Sequence, residues 1–149
     1  MNHTTAIPCA SATLQPGPQA RPLSGCRMPA GFPSPAEDWA EAALDLNRHF
    51  VTHPESTFFF RVSGQSMAGP DPARGFPESA ILIVDRSRTA RHDDVVVAVV
   101  DGAFTVKRLS RRAGQVQLLA ENPAWPVLTL VAEQELLIWG VVTAWVVEA

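Results

Sequence analysis

The chain has 149 residues, enough for one domain with a hydrophobic core, and 46% of them are hydrophobic, an ordinary share for a folded protein. The 12 basic and 15 acidic residues leave a net charge of -3, and residues 1–30 contain no acidic residue, so the rest is more acidic still. An acidic body argues against strong direct binding to nucleic acid, which needs clustered Lys and Arg.

Residues 1–30 form an arm that is rich in Pro, Ser, Thr, Ala and Gly. Its prolines remove backbone donors and interrupt helices, and its larger apolar residues are too few and scattered for a core. We predict a flexible arm that can still lie as an extended strand against the body, residues 31–149. The only cysteines, Cys9 and Cys26, lie in this arm without the spacing of a metal site.

A helix is predicted where the body begins. Ser34 can cap it, Pro35 suits the first helical position, and Glu37 completes a capping box. Four apolar residues then recur at helical spacing, which predicts a stripe that packs against the core: Trp39, Ala43, Leu46 and Phe50. We expect the helix to end near Phe50.

Beyond the helix the pattern is that of strands. Residues 57–63 are aromatic and β-branched, and Gly64 ends this strand and places Ser66 on a turn. A long loop rich in Gly and Pro follows. Further strands are predicted over residues 80–85, 94–100, 103–109, 115–120 and 136–147, the last bent at Gly140. The fold class is therefore mainly β with one short N-terminal helix.

No stretch of the chain predicts insertion into a membrane. The longest apolar run, Val95–Val100, is far too short to span one, and no signal peptide pattern opens the sequence. We therefore expect a cytoplasmic protein. The four histidines lack the mutual spacing of metal ligands, so no metal or other cofactor is expected.

Lys107 is the only lysine in the chain, and the other eleven basic residues are arginines. A buried lysine can lose its proton in a protein, whereas an arginine cannot. To act as a base near neutral pH, its pKa would have to fall by about 3 units from about 10.4. A neutral Lys107 amine could then activate the hydroxyl of Ser66. The alternative is a lysine at a strand edge beside a polar turn, residues 63–66.

Arg108, Arg111 and Arg112 follow this lysine as a small basic cluster, which we interpret as a solvated turn, with a partner surface as the alternative. His92 lies beside Asp93 and Asp94, and a Ser–His–Asp triad with Ser66 is a further hypothesis for these residues.

A set of short motifs carries a family resemblance that runs from Gly31 to the C-terminus. They are Gly31-Phe32-Pro33-Ser34-Pro35-Ala36, Asp45-Leu46-Asn47, His53-Pro54, Ser63-Gly64-Gln65-Ser66-Met67, Leu82-Ile83-Val84-Asp85, Asp101-Gly102 and Phe104-Thr105-Val106-Lys107-Arg108-Leu109. In order and spacing they resemble the LexA/UmuD family of self-cleaving Ser–Lys peptidases, and UmuD-like proteins in particular. The resemblance implies that family's fold, with Ser66 as nucleophile and Lys107 as general base. It also disfavours the triad, because UmuD-like proteins have a histidine near His92 without such a role.

The resemblance implies a serine endopeptidase that cuts its own chain where the arm meets the body. UmuD-like proteins usually have Cys before the glycine of this junction, whereas this chain has Ala30-Gly31, the pair that LexA-type repressors cut. We therefore expect cleavage between Ala30 and Gly31, with the bond between Cys26 and Arg27 as the alternative. The loop after Met67 is longer than the usual UmuD pattern and has no Asp-Gly-Asp before the next strand.

The function implied is that of a mutagenesis protein of the SOS response to DNA damage. A RecA filament on single-stranded DNA would stimulate cleavage. The trimmed body, a homodimer, would then join a UmuC-type DNA polymerase in error-prone translesion synthesis. Two alternatives stay open: a non-catalytic interaction module of the same fold, and a LexA-like regulator, which the missing DNA-binding domain disfavours.

Overall fold

The structure is a computed structural model that describes residues 10–11, 20–21, 30–31, 43–131 and 134–149. Both cysteines, and residues 34–42 of the predicted helix, lie outside the described residues.

The described residues form one antiparallel sheet in the order β1-β2-β3-β8-β4-β5-β6-β7. The strands are β1 Ala10–Ser11, β2 Thr57–Arg61, β3 Ile81–Asp85, β4 Val95–Val100, β5 Ala103–Arg112, β6 Gln115–Leu119, β7 Leu128–Thr129 and β8 Leu136–Val146. Runs of β-branched and aromatic residues suit a half-buried pleated surface and account for the longer strands. The prediction of a mainly β protein is confirmed.

Strand β8 lies in the middle of the sheet, between β3 and β4. Its pairing with β4 shifts register between Val97 and Ala98, opposite Gly140 and Ile138, where the sequence predicts a bend. A Cβ atom at Gly140 would lie 2.7 Å from Cγ1 of Val84 in β3, so only glycine lets β8 approach β3 this closely.

The buried apolar side chains form two groups. The first includes Phe60 and Val62 at the end of β2, together with Met67 and Phe76 from the loop that follows. The second is built on β4, β5, β6 and β8, with Leu109 and Leu118 fully buried. The loop after β2 is therefore part of the core at Met67 and Phe76, and burial of these side chains holds the loop against the sheet.

The helical prediction is wrong over residues 43–45. Leu44 exchanges two backbone hydrogen bonds of 2.8 Å with Arg21, and α1 covers only Leu46–Phe50. Asp45 is the actual N-cap, since its carboxylate accepts from the N–H of Asn47 at 3.0 Å. Leu46 is 60% exposed and Phe50 37% exposed, so this part of the predicted apolar stripe does not pack into the core.

The described parts of the arm lie against the body. Ala10 and Ser11 pair with Phe59 and Phe58, which adds β1 to the free edge of β2. Arg21 forms the bridge to Leu44 described above. The arm thus supplies a short extended strand.

Asp85 ends β3 as a buried carboxylate with three side-chain partners. Its oxygens accept from Ser87 Oγ at 2.6 Å and Ser56 Oγ at 3.0 Å, and lie 2.6 Å from His53 Nδ1. Burial raises the pKa of Asp85, but hydrogen bonds from Ser87, His53 and Ser56 outweigh burial and bring the pKa down to about 2. The charged form of Asp85 therefore stabilises the fold.

Asp85→Asn should lower the free energy of unfolding by about 2 kcal/mol at pH 7, because the variant loses charge-assisted hydrogen bonds. The folded-state pKa of Asp85 lies below its ordinary value of 3.8, so its contribution is complete above that value. The difference in free energy of unfolding between wild type and variant should therefore decrease as pH falls from about 4 towards 2. Urea denaturation across this range measures the gap, with Asp101→Asn in an exposed turn as the control. A gap that does not change with pH would contradict this account of Asp85.

Candidate active site

Ser66 stands on a turn that leaves the end of β2. Gly64 has a φ of 85°, a left-handed conformation that favours glycine, and its N–H donates to Glu78 Oε1 at 3.1 Å. The carbonyl of Gln65 accepts from the N–H of Ala68 at 3.1 Å and closes the turn. The chain therefore reverses at Ser66 in a fixed conformation, not as a loose polar loop.

Met67 anchors this turn in the core. Its side chain is 1% exposed, and its carbonyl accepts from the N–H of Phe76 at 2.8 Å. Two glycines let the backbone come this close. A Cβ atom at Gly75 would lie 2.2 Å from the Met67 carbonyl oxygen, and one at Gly69 would lie 2.5 Å from the carbonyl oxygen of Glu121. The loop after Met67 therefore packs directly against the residue that follows Ser66.

Lys107 reaches the same turn from the middle of β5, where it lies opposite Val96 of β4. Its Nζ donates to Ser66 Oγ at 2.8 Å, to the Val106 carbonyl at 3.0 Å and to Thr105 Oγ1 at 3.1 Å. The structure thus brings together the serine and the lysine that the sequence singled out.

The two side chains meet in a cleft of about 240 Å³ with largely apolar walls. Six of the lining residues are apolar: Phe60, Val62, Leu82, Val97, Phe104 and Val106. Burial lowers the pKa of Lys107 from its ordinary value of 10.5. Among the described residues, no carboxylate forms an ion pair with Lys107, so nothing there offsets this effect. The Lys107 amine therefore loses its proton more readily than that of a free lysine, and it lies within hydrogen-bonding distance of the Ser66 hydroxyl.

Backbone donors are also available beside Ser66. Within the part of the chain that the structure describes, the N–H groups of Ser66 and Met67 donate to no acceptor. Free N–H groups next to a nucleophile can stabilise the negative oxygen that forms when a carbonyl is attacked. The site thus combines a serine hydroxyl, a lysine amine and free backbone N–H groups, the set of groups that attack on a carbonyl would use.

Comparison with known proteins identifies the family to which the chain belongs. Residues 22–143 match the family described as Peptidase S24-like. The chain belongs to this S24-like peptidase family. Protein SamA of Salmonella typhimurium is 42% identical over 132 residues, which is 89% of this chain and 89% of SamA. Protein ImpA of Shigella flexneri and protein MucA of Escherichia coli are each 42% identical, over 83% and 82% of this chain and 81% of each relative. The resemblance to UmuD-like proteins is confirmed.

The structure of this S24-like chain does not place the expected cleavage bond at the serine. Ala30 and Gly31 form a bend, and both are exposed. Neither is among the described residues that line the cleft. The junction between arm and body is therefore accessible, but it lies outside the site in this conformation.

Arg108 is the residue that the sequence interpretation missed. The sequence predicts a solvated turn, yet Arg108 is only 7% exposed and donates to the Glu121 carboxylate and to the carbonyls of Asp93 and Arg74. The assignment is wrong because β5 continues to Arg112, which places Arg108 in mid-strand. An arginine inside a predicted strand was a usable signal, since a buried charge needs a partner.

The remaining polar candidates have structural contacts. His92 Nδ1 accepts from the N–H of Arg111 at 3.1 Å, and no described contact joins His92 to Ser66. The described residues contain no group of three His, Cys, Asp or Glu side chains that could hold a metal ion. Among the same residues, no helix is long and apolar enough to cross a membrane.

Gly75→Ala should destabilise this S24-like fold by about 3 kcal/mol, because the new methyl group would overlap the Met67 carbonyl. Gly114→Ala is the matched control. Gly114 has a φ of 75° and open space around it, so its variant should cost only about 1 kcal/mol of conformational strain. Urea denaturation of both variants measures the difference. Equal losses of stability in the two variants would mean that the backbone can easily relieve the close approach of Gly75 to the Met67 carbonyl.

Proposed function

We propose that this chain is a UmuD-like mutagenesis protein of the SOS response that cleaves itself with Ser66 as nucleophile and Lys107 as general base. The observation that carries the proposal is the 2.8 Å hydrogen bond between Lys107 Nζ and Ser66 Oγ in an apolar cleft. The relationship to SamA, ImpA and MucA supports the mutagenesis role. Membership of the S24-like family supports the peptidase activity.

The chemistry follows from the positions of the groups. Neutral Lys107 takes the proton of the Ser66 hydroxyl as its oxygen attacks the carbonyl carbon of Ala30. The N–H groups of Ser66 and Met67 stabilise the oxyanion. The protonated amine of Lys107 then gives its proton to the nitrogen of Gly31, and the peptide bond breaks. Water, activated by the same amine, hydrolyses the ester on Ser66 and releases the arm with Ala30 at its end.

The substrate must be an extended segment with small side chains at the cut. Ala30 and Gly31 meet this requirement, since neither side chain would obstruct the approach of Ser66. Both are exposed and outside the cleft in the present conformation, so the segment must move before cleavage. A RecA filament on single-stranded DNA would stimulate the reaction by favouring the conformation with the bond in the cleft. Because the segment must first move into the cleft, the protein stays uncut without the filament.

The product is the trimmed body, residues 31–149, acting as a homodimer with a UmuC-type polymerase in translesion synthesis. Every acidic residue of the chain lies in this body, so removing the arm leaves it more negative. Such a charge suits binding to a protein partner in the cytoplasm better than direct binding to nucleic acid.

Incubating the purified chain with RecA, single-stranded DNA and a nucleotide that maintains the filament should yield a fragment that begins at Gly31. Intact-mass measurement and N-terminal sequencing identify the bond. Replacing Gly31 by Trp should block cleavage because the side chain would obstruct the attack on Ala30. A fragment that begins at Arg27 would instead assign the cut to the bond after Cys26.

Cleavage without RecA should accelerate as pH rises, because only neutral Lys107 acts as a base. Burial lowers the pKa of Lys107, so the rate should level off below the ordinary value of 10.5. Lys107→Arg should be inactive at every pH, since its guanidinium keeps its proton. Ser66→Ala should fold but not cleave, whereas Ser66→Cys should keep part of the activity.

The measurement for these variants is the rate at which the trimmed body forms at each pH. Circular dichroism of each variant controls for folding. A Lys107→Arg variant that cleaves as fast as wild type would remove Lys107 from the mechanism.

A further inference from the structure

Arg108 follows Lys107 in β5 and makes contacts in three directions. Its Nε donates to Glu121 Oε1, its Nη1 to the Asp93 carbonyl, and its Nη2 to the Arg74 carbonyl at 2.7 Å. With only 7% of the residue exposed, these bonds replace those that water would make. A planar guanidinium can serve three such partners at once, which a lysine ammonium cannot do with the same geometry.

The contact with Glu121 leads to one side of the Ser66 turn, where the carbonyls of Gln65 and Ser66 lie. Glu121 precedes Asn122, whose N–H donates to the Ser66 carbonyl at 3.0 Å and whose Nδ2 donates to the Gln65 carbonyl at 3.0 Å. The Glu121 side chain is 14% exposed, so its pair with Arg108 is well shielded from solvent. Through this pair, the segment that holds the backbone of Ser66 is attached to the strand that carries Lys107.

The contact with the Arg74 carbonyl leads to the other side of the same turn, where Met67 lies. Arg74 is two residues before Phe76, whose N–H donates to the Met67 carbonyl at 2.8 Å. Between them, Gly75 packs against that same carbonyl. The carbonyl that Arg108 holds therefore belongs to the segment that anchors Met67, the residue after Ser66.

We propose that Arg108 is a positioning residue that holds both sides of the Ser66 turn at a fixed distance from Lys107. Lys107 and Arg108 are consecutive in β5, so any movement of the strand shifts both together. Arg108 thereby keeps the hydroxyl of Ser66 in contact with the amine and keeps water away from that amine. The inference deepens the proposed self-cleavage and rests on it, although the geometric part can be tested separately.

Few charged groups surround Lys107, so an effect of Arg108 on the pKa of the Lys107 amine can be measured. Of the described residues that line its cleft, Arg61 is the other charged one, and no carboxylate pairs with Lys107. Glu121, Asp93 and Arg74 are the charged groups around Arg108. Loss of the Arg108 charge would by itself raise the pKa of Lys107, whereas loss of the Glu121 charge would lower it. A rise in that pKa in the Glu121→Gln variant would therefore report on water reaching the amine.

The test uses Arg108→Gln and Glu121→Gln in the full chain. Arg111→Gln is the matched control, because Arg111 also lies in β5 and bonds a loop carbonyl, that of Ala90. Since Lys107 is the only lysine, a chain labelled with ¹³C at the lysine Cε gives one NMR signal whose titration is the pKa of that amine. Self-cleavage is followed against pH in the same variants, and circular dichroism reports folding.

Arg108→Gln should raise the pKa of Lys107 towards its ordinary value and shift the pH profile of cleavage upwards with it. Cleavage at neutral pH should slow by about 10- to 100-fold, as expected for a misplaced reacting group. Glu121→Gln should act in the same direction with a smaller effect, and Arg111→Gln should change neither readout. A folded Arg108→Gln variant with the pKa and cleavage rate of wild type would overturn the proposal.

Two further outcomes separate this inference from the function on which it rests. If Arg108→Gln does not fold, Glu121→Gln decides, and wild-type values in that variant refute the positioning role. If wild type never cleaves, or Ser66→Ala cleaves at the wild-type rate, the proposed mechanism fails. The lysine titration still tests the geometry in that case, and a raised pKa of Lys107 in Glu121→Gln supports it.

Discussion

The contact between the Lys107 amine and the Ser66 hydroxyl joins positions 41 residues apart, and the surrounding structure half-buries both side chains in a largely apolar cleft. Three oxygens surround the amine, those of Ser66, Thr105 and the Val106 carbonyl, which match the three donors of an ammonium group. Once the amine is neutral, its lone pair can accept the serine proton. The oxygens thus permit either protonation state, and the apolar walls of the cleft favour the neutral one.

A contact between Ser66 and Lys107 that is shielded in this way requires a turn that does not fluctuate away from the sheet. Met67 is buried beside the serine, and Gly69 and Gly75 allow the backbone to pack where a methyl group would collide. Arg108 and Glu121 then connect that packing to β5. The loop is long and rich in Gly and Pro, but its path is determined by backbone contacts that only glycine permits.

The sequence predicts the parts of this structure that depend on local pattern. Alternating and β-branched runs predict the strands, and the lone lysine with the turn at Ser66 predicts the site. Local pattern failed where distant groups decide the outcome. Leu44 pairs with Arg21 and is not part of a helix. The role of Arg108 depends on Glu121, which lies in the loop between β6 and β7. The capping box at Ser34 likewise gave no sign that Asp45 caps the helix before Phe50.

The position of β8 has a consequence for how the protein is made. This strand follows all the others in the chain, yet it lies between β3 and β4 and joins β1-β2-β3 to β4-β5-β6-β7. Ser66 follows β2 in the first half, and Lys107 belongs to β5 in the second. In a nascent chain that still lacks β8, no strand pairing joins these two halves of the sheet. The last strand to be synthesised therefore completes the sheet that carries Ser66 on one half and Lys107 on the other.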